Sequence, residues 1–221
     1  VPDLTGLVNA VADACKATIA VDGYHGFMAI PTDLSSLEGR IFYLAGSYKY
    51  AQGGEGCCFM LVPEHNNFRP IYTGWFAEFG ALSAAKTGAV QYSKDGYQFA
   101  GATMDFTALY RLRAVLDLYQ QEQISTAQVH QHVQRLQQHF LQSLDEIAHP
   151  WLNRQSLLQN FQADHGHFLT FRGPSAEAVA ALSQFLATHQ IKTDYRGDRL
   201  RFGFAIYHDI DDINLAVLKE A

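Results

Sequence analysis

Apolar positions along the chain recur with two different periods. Leu4, Leu7, Val8, Val11 and Ala12 follow Asp3 at helical spacing, which predicts a helix over residues 3–16. The runs 17–21, 41–46 and 57–62 are short, partly β-branched or aromatic, and closed by turn residues, so each predicts a buried strand. Helix followed by strand reads as half of a β-α-β unit, with residues 29–39, including Pro31, as a connection. Residues 63–67 read as a polar loop. Residues 68–103 mix aromatic and turn residues without a clear period. From Asp105 the pattern turns helical, with Leu109, Leu112, Val115, Leu116 and Tyr119 on one face. Ser125 and Thr126 open a longer helix with Val129, Val133, Leu136, Phe140, Leu141, Leu144 and Ile147 as its apolar stripe, and Pro150 closes it. Strand 168–171, helix 175–188, strands 191–195 and 199–205 about a Gly197-Asp198 hairpin turn, and helix 209–219 complete the pattern. The first part is α/β in character and the last is a small α+β domain.

The chain has 221 residues, 48% hydrophobic and 17% charged, which is ordinary for a globular protein able to bury a proper core. A net charge of -6 argues against a nucleic-acid or anionic-membrane partner. No apolar run approaches membrane-spanning length, and no signal-peptide pattern occurs. Cys15, Cys57 and Cys58 form neither a disulfide framework nor a metal-binding spacing, so a cytoplasmic location is the default expectation. Cys57 and Cys58 are adjacent on a strand and are expected to point to opposite faces. His130, His132 and His139 read as a solvated helix face among glutamines, and His165-Gly166-His167 as a loop.

The chemistry concentrates on the loop between the second and third strands, Gly46-Ser47-Tyr48-Lys49-Tyr50-Ala51-Gln52-Gly53-Gly54-Glu55-Gly56. Its glycines permit close backbone approach and turns that side chains forbid. The preceding strand ends in Val21-Asp22-Gly23-Tyr24-His25, and a carboxylate at a strand's C-terminal end is where open α/β sheets put ligand contacts. An amine for a Schiff base, an acid for a ring nitrogen and an imidazole are together what pyridoxal 5'-phosphate requires. Only a neutral amine attacks an aldehyde, which makes Lys49 the nucleophile to be activated. The alternatives are a turn cap for Asp22, a core histidine for His25 and, taken alone, a surface lysine for Lys49. Arg201 lies on an apolar strand, where a buried guanidinium needs an anion. That anion is a bound carboxylate or an internal partner such as Asp194 or Asp198.

Val21-Asp22-x-x-His25 followed by Gly46-Ser47-Tyr48-Lys49-Tyr50 resembles the class V, fold-type I enzymes that depend on pyridoxal phosphate, in particular their kynureninase-like branch. Gly74-Trp75-Phe76, Phe99-Ala100-Gly101-Ala102-Thr103 and Leu200-Arg201-Phe202-Gly203 continue the resemblance in order. It implies the C-terminal part of a large cofactor-binding domain over residues 1–104, followed by a small α+β C-terminal domain over 105–221. A start at Val1-Pro2 in the middle of the large domain implies a companion N-terminal segment. By the same resemblance Lys49 carries the cofactor as an internal aldimine and moves a proton at the substrate Cα. Asp22 and His25 hold the ring, and Ser47 and Tyr48 offer hydroxyls to the phosphate. Trp75 and Thr103 approach the phosphate of a neighbouring subunit in a homodimer, and Arg201 takes the α-carboxylate of an amino acid or keto acid. The implied activity is that of a class V aminotransferase. Kynureninase-like C–C hydrolysis is the second reading, although residues 51–56 depart from the loop of that branch. A non-catalytic module of the same fold, kept for binding or regulation, is the third. A desulfurase is less well matched, because no cysteine follows Cys58.

Overall fold

The structure is a computed structural model that describes residues 3–64, 66–159 and 165–220. The expected chain start at Val1-Pro2, and His65 of the expected polar loop, lie outside the described residues. Two compact units divide the chain, one formed mainly by Asp3–Phe27 and Thr32–Gln121, the other mainly by Glu122–Ala221.

In the first unit, helix α1 (Leu4–Ala14) starts where the Asp3 side chain accepts the Gly6 N–H at 2.7 Å. Strand β1 (Ile19–Asp22) pairs in parallel with β2 (Ile41–Gly46), and β2 pairs antiparallel with β3 (Cys58–Leu61). A parallel pair needs a long crossover, and residues 23–40 supply it as turns. Val8, Leu37, Ile41, Tyr43 and Ala45 form the core, with Phe27 set edge-on against Phe59 at 5.0 Å. Cys57, expected on β3, lies just before it and is buried, while Cys58, its first residue, is exposed. The parallel pairing fixes the site: Asp22 lies beside Leu44, so the chain leaves β1 and β2 at the same edge of the sheet.

Residues 68–103 hold two short 3-10 turns, Trp75–Ala81 and Gly96–Phe99. Helix α2 (Thr107–Gln121) follows and clusters with this unit, whereas the resemblance counts residues 105 onward to the small domain. Its inner side is Ala108, Leu112 and Tyr119. Leu109 and Leu116, expected on the apolar face, are 52% and 41% exposed. The reason is that small Ala108 rather than Leu109 lets the helix approach the glycine loop.

The second unit is built on α3 (Thr126–Ile147), opened by a reciprocal Ser125–Gln128 capping box and closed by Ala148 in the left-handed conformation. Strands β4 (Phe168–Arg172), β6 (Arg199–Gly203) and β5 (Asp194–Arg196) form an antiparallel sheet in that order. Helix α4 (Ala176–Thr188) is capped by Ser175. Leu136, Phe140, Leu144, Leu169, Phe171, Leu200 and Phe202 are central to one continuous core. Gly197 and Asp198 make the expected hairpin turn, with Gly197 at φ 54°.

Three expectations are corrected here. The strand over 191–195 starts only at Asp194, because Gln190 (φ 65°) and the Ile191 N–H to Leu186 carbonyl bond extend the end of α4. The closing helix over 209–219 is two 3-10 turns, Ile210–Asp212 and Ala216–Lys219, since the Asp209 and Asn214 side chains each cap a new start. His130 and His132 of α3 are not part of a solvated face. The His130 and His167 rings stack at 5.3 Å, with Nδ1 of the first 3.0 Å from Nε2 of the second. His132 Nε2 lies 3.0 Å from the His208 carbonyl oxygen. Burial, reinforced by the charges of His130 and His165, pushes His167 down to about 4.

Candidate active site

The shared edge of β1 and β2 gathers Asp22, Tyr24, His25, Tyr48 and Lys49. Lys49 Nζ stands 3.2 Å from His25 Nδ1 and 3.1 Å from His25 Nε2. The near-equal distances put the amine against the ring rather than on one lone pair. The Tyr24 and Tyr48 ring centroids each lie 5.6 Å from Nζ and 5.6 Å from one another. Rings at that range favour a cation through their quadrupoles and offer flat surfaces to a planar ligand. Asp22 is exposed at the end of β1 and accepts the Tyr24 N–H at 3.0 Å, which is the turn-cap role anticipated as its alternative.

Tyr24 is pushed up to about 12, first by its side-chain hydrogen bond with Cys58, then by burial and by the charges of Cys58, Tyr48 and Asp22. It therefore stays a neutral phenol around neutral pH. Tyr24 lies directly over Gly46: a Cβ there would come within 2.6 Å of its ring. A Cβ at Gly23 would fall 2.1 Å from the Tyr43 ring. These two glycines are thus demanded by close approach.

Ser47 is fully buried and its hydroxyl donates to the Gly54 carbonyl at 2.6 Å, so its one proton is spent inside the loop. Tyr48, 44% exposed, keeps its hydroxyl at the mouth. Trp75 packs against Phe76 and Phe79 at 4.4 and 5.5 Å and is half exposed; Thr103 is exposed. The two segments that carry them are brought together, since Phe76 N–H donates to the Gly101 carbonyl at 3.2 Å and a Cβ at Gly74 would collide with that oxygen.

Arg201 belongs to the second unit. Its side chain is 29% exposed rather than fully buried, lies over the Phe168 ring at 4.9 Å and pairs with Asp194 at 3.4 Å. Asp198 instead faces Arg172 and Arg199, at 3.7 and 3.9 Å. Asp194 is more than half exposed, so the Arg201 pair contributes about 0–1 kcal/mol and is easily exchanged for another carboxylate. Arg201 borders a cavity of about 540 Å³ with Phe168, Thr170, Asp194 and Arg199 on its walls. Two groups escaped the sequence reading. Tyr24 stood beside His25, but nothing local announced its contact with Lys49. Arg111, which reaches the glycine loop from α2, left no signal at all.

Among the described residues no group of three or more acids, histidines and cysteines could hold a metal ion, and no helix is long and apolar enough to cross a membrane. No curated protein sequence matches the chain. Solved structures do. A cysteine desulfurase from Thermococcus onnurineus superposes with a TM-score of 0.73 at 17% identity over 96% of this chain and 54% of its own. An alanine–glyoxylate aminotransferase from Nostoc gives 0.64 at 16% identity over 98% and 56%. A cystine C–S lyase in complex with cysteine persulfide gives 0.66 at 20% over 88% and 50%. The chain therefore spans about half the length of these relatives in structure. The mixed α/β fold is that of the fold-type I transferases, of whose large domain the chain carries part. The family model described as aminotransferase class-V matches residues 1–215. By that match over nearly its whole length, the chain belongs to the class V aminotransferase family.

Proposed function

We propose that this chain belongs to an enzyme that moves the amino group of an amino acid to a keto acid, with Lys49 as its central residue. Membership of the family carries pyridoxal phosphate with it as the cofactor. When bound, that group supplies an aldehyde for covalent attachment and an electron sink for charge developing at the substrate Cα. The residues at hand suit it. An amine, a carboxylate and an imidazole stand at one end of two hydrogen-bonded strands, and two aromatic rings flank the amine at 5.6 Å.

The work of the chain's own groups follows from their chemistry. Lys49 Nζ would hold the cofactor covalently through its aldehyde and would take up the proton released at the substrate Cα. His25, in contact with Nζ through both ring nitrogens, steers the amine. Asp22 would keep the ring nitrogen of the cofactor protonated, and the Tyr48 hydroxyl would donate to its phosphate. Arg201 exchanges Asp194 for the substrate carboxylate, a planar anion that its fork matches. Trp75 and Thr103 serve the phosphate of a partner subunit in a homodimer, and a reducing cytoplasm suits three free thiols.

The observation that carries this reading is the contact between Lys49 and His25 across two adjacent strand ends. Kynureninase-like hydrolysis is the second reading, favoured by the same Asp22-x-x-His25 arrangement. Desulfuration fits less well, because Cys58, the exposed thiol nearest the site, is engaged by Tyr24. A nitrogen-labelled amino acid offered with an unlabelled keto acid tests the choice. Label in the amino acid whose carbon skeleton is that of the added keto acid supports transfer. Labelled alanine formed without any added keto acid favours hydrolysis or desulfuration instead.

A further inference from the structure

The loop that carries Lys49 has a costly shape. Gln52, Gly54 and Gly56 have φ of 56°, 72° and 94°, three left-handed residues within five. Left alone, such a segment would sample many conformations, and the amine would wander with it. Its three consecutive carbonyls at 53, 54 and 55 are each taken by a side chain. Ser47 donates to Gly54, and Arg111 takes both others, through Nε to the Gly53 oxygen at 3.2 Å and through Nη2 to the Glu55 oxygen.

Helix α2 also shapes the loop by contact. A Cβ at Gly53 would come within 2.9 Å of Ser47 Cβ and 3.3 Å of Leu112 Cα. One at Gly56 would meet Ala108 Cβ at 3.2 Å. Ala108, Arg111 and Leu112 are one face of α2 at i, i+3 and i+4, and the loop lies on that face as bare backbone. The guanidinium is suited to the task because the separate donors of its rigid fork reach two carbonyls at once; an ammonium is a point donor and does so poorly.

We propose that Arg111 is a positioning residue for Lys49: it pins the glycine loop to α2 and so fixes where the amine stands. This rests on the reading of Lys49 as the cofactor-bearing lysine, but the clamp itself is a property of the free chain. It acts on a lysine 62 positions earlier in the sequence without touching it.

The test compares Arg111→Ala and Arg111→Lys with the unaltered protein in two measurements. Hydrogen exchange reads the amides at 47–57 against those of α3 as an internal reference. Borohydride trapping after addition of pyridoxal phosphate reads the rate of adduct formation on Lys49. Arg111→Ala should raise loop exchange by about tenfold or more and slow trapping, with α3 unchanged. Millimolar guanidinium, far below denaturing levels, should restore both, and the same concentration of sodium chloride should not. Arg111→Lys should behave more like the alanine variant than like the unaltered chain. If Arg111→Ala proves too unstable to purify, Arg111→Lys with guanidinium present and absent carries the comparison. Unchanged loop exchange overturns the clamp. A loosened loop with undiminished trapping overturns its role toward Lys49. Failure of the unaltered protein to form any adduct, with the exchange result intact, refutes the cofactor reading and leaves the clamp standing.

Discussion

Acid should unfold the second unit well before it harms the first. His167 is 1% exposed, stacked on His130 and held down to about 4, against 6.5 for a free imidazole. In the unfolded chain His167 takes up its proton as pH falls through 6.5; in the folded chain it resists until about 4. The unfolded state therefore binds more protons in that window, and stability is lost as pH falls through it. Above the window the contribution is complete, and below it no further loss comes from this group. The gap corresponds to at most about 3 kcal/mol. Burial holds His149 and His208 down as well, which adds in the same direction.

The chain's two tryptophans make the assay specific, because Trp75 lies in the first unit and Trp151 in the second. In a Trp75→Phe background, urea unfolding followed by Trp151 fluorescence reports the second unit alone. Its midpoint should fall by about 1 M or more between pH about 7.5 and about 4.5. His167→Gln, whose amide stands in for Nε2 toward His130, should remove most of that dependence and leave the part due to His149 and His208. Equal midpoints at both pH values, or an undiminished dependence in His167→Gln, would refute the reasoning.

Gly46→Ala should lower the melting temperature by the equivalent of about 1–3 kcal/mol, because its Cβ meets the Tyr24 ring at 2.6 Å and the Cys57 carbonyl at 3.1 Å. The displaced Tyr24 should also slow trapping at Lys49. Leu200→Ala, in a fully buried position of β6, should cost about 2–5 kcal/mol in denaturant unfolding. Arg201→Gln should raise KM for amino acids about tenfold or more with the yield of trapped Lys49 unchanged, and an unchanged KM would remove the carboxylate role.

Much of the site was legible because its signals are local. Strand, glycine loop and strand announce themselves over residues 41–62, and an acid and a histidine just past an apolar run mark the next strand end. Parallel pairing then brings Asp22 and His25 beside the Lys49 loop, which a sequence pattern implies but does not display. What stayed hidden depends on distant partners. Arg111 meets the loop across 58 positions of sequence, and in its own helix it reads as an ordinary surface charge. His130 and His167 meet across 37, so by their neighbours the first looked solvated and the second read only as loop. The inward turn of the Ser47 hydroxyl follows from the left-handed loop beyond it, a conformation the glycines permit without specifying. At the C-terminus helical spacing misled, because Asp209 and Asn214 each begin a fresh turn by capping.

The central claim is that Lys49 bears the cofactor. Incubation of the protein with pyridoxal phosphate, reduction with borohydride, and peptide mapping by mass spectrometry test it most directly. The account predicts one reduced pyridoxyl group on the peptide containing Lys49, absent from Lys49→Ala. No adduct on Lys49, or one that forms on a different lysine and persists in Lys49→Ala, would contradict it.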